Sequence, residues 1–154
     1  RVAGQESIVM RAGAVAMAGR ALVIEGAPGS GKSSLALDLI DRGAMLVGDD
    51  GVTLSRRGDG VLVAAPPPNI AGMIELRGIG IVRMETAQNV PVSLILTLPA
   101  PGDPPPERVP ERLPERAATR RLLGCDVPAL AFDPGGIAPA VRAEWALRLH
   151  GLGA

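Results

Sequence analysis

The chain has 154 residues, a length that suits one domain with a sizeable hydrophobic core. Its 16 basic and 16 acidic residues balance, and it has one Phe, one Trp and no Tyr. This composition argues against a broad surface for nucleic acid or anionic membrane and against base stacking. The single cysteine excludes an intrachain disulfide and is compatible with a reducing cytoplasm. The sequence shows no signal-peptide pattern and no apolar stretch long enough to span a bilayer. We therefore expect residues 1–154 to form a single cytoplasmic domain.

The first predicted elements are two strands. Residues 7–17 are rich in β-branched and small apolar side chains, and Ala18-Gly19 separates them from an apolar run at 21–25. This pattern predicts a β-hairpin, so an antiparallel strand is expected beside the second strand.

The segment after this hairpin reads GAPGSGKS and fits the pattern G-x-x-x-x-G-K-[ST] at every fixed position. A helical pattern follows over residues 32–42 and ends at Gly43. In such a phosphate-binding loop (P-loop), backbone N–H groups converge on phosphate oxygens, the lysine reaches the β- and γ-phosphates, and the following hydroxyl binds Mg²⁺. A glycine-rich turn that matches by chance is the alternative. The predicted nucleotide-binding residues are Gly26, Ala27, Pro28, Gly29, Ser30, Gly31, Lys32, Ser33 and Ser34.

A second buried-type strand, at residues 44–48, ends in Asp49-Asp50. Carboxylates just beyond the C-terminal end of a strand are well placed to face a nucleotide, because ligands gather at that edge of such sheets. The alternative is an Asx-type turn after the strand.

The middle of the chain predicts further hairpins. Residues 52–56 and 61–65 flank a glycine-containing turn, residues 70–84 form a glycine-punctuated strand or loop, and residues 90–98 form a strong strand. Glu75 and Arg77 lie in the glycine-punctuated segment, where a surface ion pair is the alternative to a role in a site.

The last third of the chain begins with seven prolines in residues 99–114, which predict an exposed, mobile loop that either connects elements or faces a substrate. A short strand at 127–132 follows. The final helix carries Ile137, Val141, Trp145 and Leu149 on one i, i+4 stripe, which predicts a buried face with Trp145 in the core. Together these elements predict an α/β P-loop nucleotide-binding domain with a mixed, hairpin-rich sheet flanked by helices.

The combination of the phosphate loop, the paired aspartates and the segment ELRGIGI at residues 75–81 resembles the catalytic domain of HPr kinase/phosphorylase, in a short single-domain form. The resemblance runs from about residue 6 to residue 150. It implies a kinase that uses ATP and Mg²⁺ to phosphorylate a seryl hydroxyl on the phosphocarrier protein HPr. It also implies phosphorolysis in the reverse direction and assembly into oligomers, commonly hexamers.

The resemblance also implies residue roles. Asp49 matches the carboxylate that acts as base in one direction and as acid in the other, while Asp50 and Glu75 match acidic positions near the metal. The other matches are Lys32 and Ser33 for phosphate and metal, Arg77 in the signature, and Arg112, aligned with a family arginine expected to touch the transferring phosphate.

Two positions depart from the family pattern. A histidine that assists the catalytic aspartate is replaced by Arg11, which cannot exchange a proton near neutral pH but adds positive charge for phosphate. The basic G-R-N turn before the last helix is replaced by Gly136-Ile137-Ala138. Two alternatives therefore stand beside an HPr kinase: a kinase of the same fold acting on another protein or a small hydroxylated metabolite, and a nucleotide-sensing regulator without turnover.

Overall fold

The computed structural model describes residues 6–69, 71–102 and 117–153. Within these ranges the chain forms eleven β-strands and two α-helices. Arg112 and most of the predicted proline-rich loop lie outside the described residues. In the part of the chain that is described, no helix has the length and apolar character needed to cross a membrane.

The N-terminal half forms six strands and the first helix. The strands β2 (Gly13–Met17) and β3 (Arg20–Glu25) make the predicted antiparallel hairpin, in which Ala16 lies opposite Ala21. The predicted strand over residues 7–17 is interrupted at Arg11 and Ala12. The elements are β1 (Ser7–Met10), β2 (Gly13–Met17), β3 (Arg20–Glu25), α1 (Lys32–Asp41), β4 (Met45–Gly48), β5 (Val52–Arg56) and β6 (Leu62–Ala65).

The second half contributes five strands and the last helix. The glycine-punctuated segment forms a separate two-stranded hairpin, β7 with β8. The elements are β7 (Met73–Leu76), β8 (Gly80–Arg83), β9 (Val90–Thr97), β10 (Ala118–Leu122), β11 (Cys125–Ala131) and α2 (Pro139–His150).

The main sheet has the strand order β1-β5-β6-β9-β3-β2-β4, with β11 pairing β9 and β10 pairing β11. Only short breaks in the chain separate β1 from β2 and β4 from β5, although the strands of each pair are far apart in this order. The sheet therefore curls back on itself. The strands β3, β9 and β11 run parallel, whereas the remaining pairs are antiparallel. This arrangement confirms the predicted mixed, hairpin-rich α/β fold.

Two apolar clusters hold the sheet and the helices together. Along β3 the side chains alternate between them, because successive residues of a strand point to opposite faces. Leu22 and Ile24 belong to the cluster that includes residues of α1 and α2, whereas Ala21 and Val23 belong to the cluster on the other face of the sheet. The strand that leads into the glycine-rich loop is therefore buried on both faces.

The helix α2 buries a different face from the predicted one. Its buried residues are Ala140, Ala143, Ala146 and Leu147. Trp145 and Leu149 are 52% and 72% exposed, and Ile137, 89% exposed, precedes the helix. The predicted core role of Trp145 is wrong, because small alanine side chains let this helix pack closely, which turns the large apolar stripe to solvent. The Arg148 guanidinium lies 4.7 Å from the Trp145 ring centroid.

An ion pair joins the two helices. Arg42, just after α1, donates hydrogen bonds to both carboxylate oxygens of Glu144, each at 2.9 Å. These hydrogen bonds from Arg42 hold the pKa of the Glu144 carboxyl below its ordinary value.

Candidate active site

The glycine-rich segment joins β3 directly to α1, which is the strand-loop-helix context that the motif requires. Gly29 and Gly31 have φ angles of +82° and +100°, a left-handed conformation that glycine adopts without strain. Gly31 is also the N-cap of α1 and has no side chain to cap the first turn. The N–H groups of that turn are therefore not engaged by an N-cap side chain.

Gly26 is required by a close approach within the loop. A Cβ atom at this position would lie 2.5 Å from Ser30 Oγ and 3.1 Å from Leu98 Cβ. Ser30 Oγ is itself buried and has no hydrogen-bond partner among the described residues. The first glycine of the motif thus lets the chain fold over the Ser30 side chain.

Lys32, the only lysine in the chain, folds back across this loop. Its ammonium group donates hydrogen bonds to the carbonyl oxygens of Gly26, at 2.8 Å, and Ala27, at 3.4 Å. The positive charge is therefore held at the loop by two neutral carbonyl groups. A phosphate group entering the loop would offer stronger, charged acceptors to the same ammonium.

Asp49 links the loop helix to the end of β4. Ser33 Oγ donates a 2.6 Å hydrogen bond to Asp49 Oδ1, and the backbone N–H of Glu75 donates a 3.2 Å hydrogen bond to Asp49 Oδ2. Both carboxylate oxygens are thus engaged by different elements. The contact from Glu75 comes from its backbone, although the sequence had suggested its side chain.

The position of Asp49 depends on a sharp bend between β4 and β5. A Cβ atom on Gly48 would lie 1.9 Å from the carbonyl oxygen of Gly51, so only glycine fits this bend. The neighbouring strand is broken at the same level, because the flanking pairs are Met10 with Val52 and Ala14 with Gly48. Residues 11–12 and 49–51 therefore lie opposite each other.

A cavity of about 690 Å³ collects most of the predicted site residues. Arg11, at the break between β1 and β2, lines the same cavity as Asp49. Of the other predicted residues, Ala27 contributes the carbonyl group that accepts from Lys32, Ser30 has a buried hydroxyl and lines a different cavity, and Arg112 lies outside the described residues. The predicted residues that line the cavity are Arg11, Gly26, Pro28, Gly29, Gly31, Lys32, Ser33, Ser34, Asp49, Asp50, Glu75 and Arg77.

Three apolar residues of this cavity were not predicted: Leu37, Leu76 and Ile79. Leu37 follows Ser33 by four positions and therefore lies on the same face of α1, a spacing that could have identified it. Leu76 and Ile79 belong to the β7–β8 hairpin. The cavity thus combines a phosphate-type loop with an apolar wall.

The described residues contain no cluster of three or more Asp, Glu, His or Cys side chains that could hold a metal ion. The predicted metal set was Ser33, Asp50 and Glu75, and all three line the cavity. Ser33 forms its direct hydrogen bond with Asp49, which was not part of the predicted metal set. A hydroxyl and one or two carboxylates are donors of the kind that Mg²⁺ uses when substrate phosphates supply the remaining oxygens. The site therefore fits a magnesium ion that is shared with a nucleotide.

An arginine in α2 contacts the segment that precedes this helix. Arg142 donates hydrogen bonds to the carbonyl oxygens of Ile137, at 2.6 Å, and Asp133, at 2.8 Å. Its guanidinium also lies 4.7 Å from the Phe132 ring centroid. These contacts fix the shape of the Gly136-Ile137-Ala138 turn.

The fold and the site define a class of protein, namely mixed α/β domains with a curled sheet and a glycine-rich loop between a strand and a helix. The fold is shared with the structure titled HPr(Ser) kinase/phosphatase from Coxiella burnetii, with a TM-score of 0.75 and 28% sequence identity. That similarity covers 92% of this chain and 89% of the other. The chain belongs to the HPr Serine kinase C-terminal domain family, which it matches over residues 5–133.

Curated relatives named HPr kinase/phosphorylase agree with this assignment. The one from Stenotrophomonas maltophilia is 36% identical over 138 residues, covering 84% of this chain and 43% of the relative. The one from Exiguobacterium sibiricum is 47% identical over 68 residues, covering 44% of this chain and 22% of the relative. The chain thus spans less than half the length of these relatives.

Proposed function

We propose that the cavity binds ATP with Mg²⁺ and transfers the γ-phosphoryl group to a seryl hydroxyl on an HPr-like carrier protein. The observation that carries this proposal is the Ser33–Asp49 hydrogen bond, because it joins a phosphate-type loop to a carboxylate inside one cavity. Phosphoryl transfer requires positioning and charge neutralisation more than covalent chemistry, and these residues can supply both.

Each polar group of the cavity has a role in this proposal. The loop N–H groups and Lys32 bind the phosphate oxygens, with Lys32 exchanging its carbonyl partners for them. Ser33, Asp50 and Glu75 would hold Mg²⁺, and the bound ion would neutralise charge on the phosphate oxygens. Asp49 accepts the proton of the attacking hydroxyl and orients it. Arg11 and Arg77 offer positive charge to the phosphate that is transferred. The family resemblance extends this role to Arg112, which lies outside the described residues.

Arg11 indicates which direction of phosphoryl transfer the site should favour. A histidine can take up and return a proton near neutral pH, whereas an arginine stays charged. Arg11 lines the same cavity as Asp49, so the residue at position 11 cannot exchange a proton there as the family histidine would. Transfer to the acceptor should therefore be favoured over phosphorolysis of the product.

The acceptor is taken from the name HPr kinase/phosphorylase that these relatives carry, and the assembly from the family resemblance found in the sequence. We propose HPr or a related carrier as the partner, a cytoplasmic location, and a homo-oligomer such as a hexamer. We propose no role in binding nucleic acid or membrane, because the charge balance offers no broad basic surface.

A second candidate is a kinase of the same fold with a different acceptor, either another protein or a small hydroxylated metabolite. The turn at Gly136-Ile137-Ala138 favours this candidate, because it presents an exposed isoleucine where the family resemblance implies a basic turn. A third candidate, favoured by Arg11, is a regulator that binds nucleotide without turnover.

One experiment separates these candidates. The protein is incubated with γ-labelled ATP and Mg²⁺ in the presence of purified HPr, of HPr with its acceptor serine replaced by alanine, or of a panel of hydroxylated metabolites. Labelling of HPr but not of the serine-free variant supports the proposal. Label on a metabolite, or on another protein when a cell extract replaces HPr, supports the second candidate. ATP binding without any labelled product supports the third.

A further inference from the structure

We propose that a second cavity, which adjoins the first, holds the nucleoside of the nucleotide whose phosphates bind the glycine-rich loop. This inference rests on the proposed function. The second cavity has a volume of about 380 Å³, towards the lower end of the range for small-molecule sites. Gly29, Gly31 and Ser34 line both cavities. A nucleotide with its phosphates on the loop can therefore extend its nucleoside into the second cavity.

The second cavity lies at the edge of the sheet where ligands are expected. Thr97 of β9 pairs with both Glu25 of β3 and Ala131 of β11, and these three strands are parallel. The loops that follow them thus leave the sheet at the same level and on the same edge. Residues 29–31, 99–101 and 133–135 from these loops all line the cavity.

Proline side chains form much of the wall. Pro99, Pro101, Pro134 and Pro139 present rigid apolar rings, and no aromatic residue lines the cavity. Ligand pockets typically combine such apolar walls with a small number of polar groups that fix orientation. The planar base of a nucleoside can pack against these rings without requiring aromatic stacking.

The polar groups of the cavity include two carboxylates, those of Asp38 and Asp133. Asp133 Oδ1 accepts a 2.9 Å hydrogen bond from the backbone N–H of Gly135 and so shapes its own loop. Asp38 follows Ser34 by four positions and therefore lies on the same face of α1. Among the described residues, no donor is hydrogen-bonded to the Asp38 carboxylate. An ionised carboxylate only accepts hydrogen bonds, so Asp38 would recognise an amino group of the base or the ribose hydroxyls.

The test compares ATP with inorganic tripolyphosphate, which has the phosphates but no nucleoside. Calorimetry in the presence of Mg²⁺ gives the Kd of each for the unmodified protein, for Asp38→Ala and for Asp41→Ala. Asp41 is exposed on the same helix one turn further from the loop and lines neither cavity, so it is the matched control.

We expect the unmodified protein to bind ATP at least about tenfold more tightly than tripolyphosphate. Asp38→Ala should weaken ATP binding about tenfold, as expected for a lost hydrogen bond to a charged group, while tripolyphosphate binding is retained. Asp41→Ala should behave like the unmodified protein. Equal affinities for the two ligands, or an unchanged ratio in Asp38→Ala, would overturn the nucleoside site while leaving the phosphate loop intact. Failure of both ligands to bind the unmodified protein would overturn the proposed function itself.

Discussion

Ser33 Oγ donates a 2.6 Å hydrogen bond to Asp49 Oδ1, and this contact ties the first turn of α1 to the end of β4. The other carboxylate oxygen accepts from the backbone N–H of Glu75, which connects the β7–β8 hairpin to the same aspartate. Asp49 is therefore the point at which three elements of the cavity meet. Asp50, the next residue, is exposed and has no such contact among the described residues.

We expect Asp49→Asn to impair turnover and Asp50→Asn to impair the use of Mg²⁺. An asparagine at position 49 can accept a hydrogen bond with only one of its two terminal atoms, so it loses the contact with Ser33 or with Glu75, and it cannot take up a proton. Asp49→Asn should lower kcat at least about a hundredfold with ATP still bound. Asp50→Asn should mainly raise the Mg²⁺ concentration needed for half-maximal activity.

Steady-state kinetics at varied Mg²⁺ and a direct measurement of ATP affinity check this pair. Circular dichroism of both variants controls for folding. Equal and mild effects at the two positions would favour a simple turn after β4 and would contradict the catalytic role of Asp49.

Gly48 should be irreplaceable for the bend that presents these aspartates. A Cβ atom there would lie 1.9 Å from the carbonyl oxygen of Gly51, a contact that only a backbone shift can relieve. We expect Gly48→Ala to reduce the free energy of unfolding by about 3 kcal/mol. Urea denaturation measures this change.

Gly58 provides the matched control for this substitution. A Cβ atom at Gly58 meets nothing within 4 Å, and this glycine does not have a positive φ angle. Gly58→Ala should change stability by less than about 0.5 kcal/mol. Similar losses in both variants would show that the bend at Gly48 is not the cause.

The buried face of α2 can be tested with two leucines that are two positions apart. Leu147 is 2% exposed and Leu149 is 72% exposed. Leu147→Ala should cost about 2–5 kcal/mol of unfolding free energy because it leaves a cavity in the core, whereas Leu149→Ala should cost almost nothing. If Leu149→Ala is more destabilising than Leu147→Ala in thermal or urea denaturation, the buried face of α2 is the stripe that the sequence predicted.

Sequence patterns identified the elements whose signals are local. The glycine-rich loop carries its own signature, and the hairpin of β2 with β3 is marked by apolar runs on either side of a turn at Ala18-Gly19, where both residues have positive φ angles. The helix α1 was recognisable for the same reason, since its apolar spacing and the glycine at position 43 both lie within the segment.

Other features depend on partners that are distant in the sequence. The strand β10 was missed because it contains Arg120 and Arg121, which are typical of an exposed edge strand, and it turns into β11 through Leu123-Gly124 rather than a common turn dipeptide. The orientation of α2 was wrong because alanines contribute little to an apolar pattern although they pack well. The contact between Ser33 and Asp49 needs the curled sheet, which no local pattern contains.

Arg11 should determine the balance between the two directions of phosphoryl transfer. Replacing it with histidine adds a group that can take up and return a proton next to the cavity that holds Asp49. Arg11→His should therefore raise phosphorolysis relative to kinase activity, with the rates of both directions measured on the same preparation. If the ratio and its pH dependence stay the same, Arg11 has no part in proton transfer.

The most direct test of the phosphoryl-transfer site is Lys32→Ala. Lys32 is the only lysine, and within the described residues its ammonium group is hydrogen-bonded only to the loop carbonyl groups of Gly26 and Ala27. The measurement is transfer of the γ-phosphoryl group from labelled ATP to the acceptor, with Arg57→Ala, an exposed residue paired with Asp59, as the control. We predict a loss of at least about a hundredfold in kcat/KM for Lys32→Ala, an unchanged circular dichroism spectrum, and full activity for Arg57→Ala. Unchanged ATP affinity and turnover in Lys32→Ala would contradict the assignment of this loop as the phosphate-binding site.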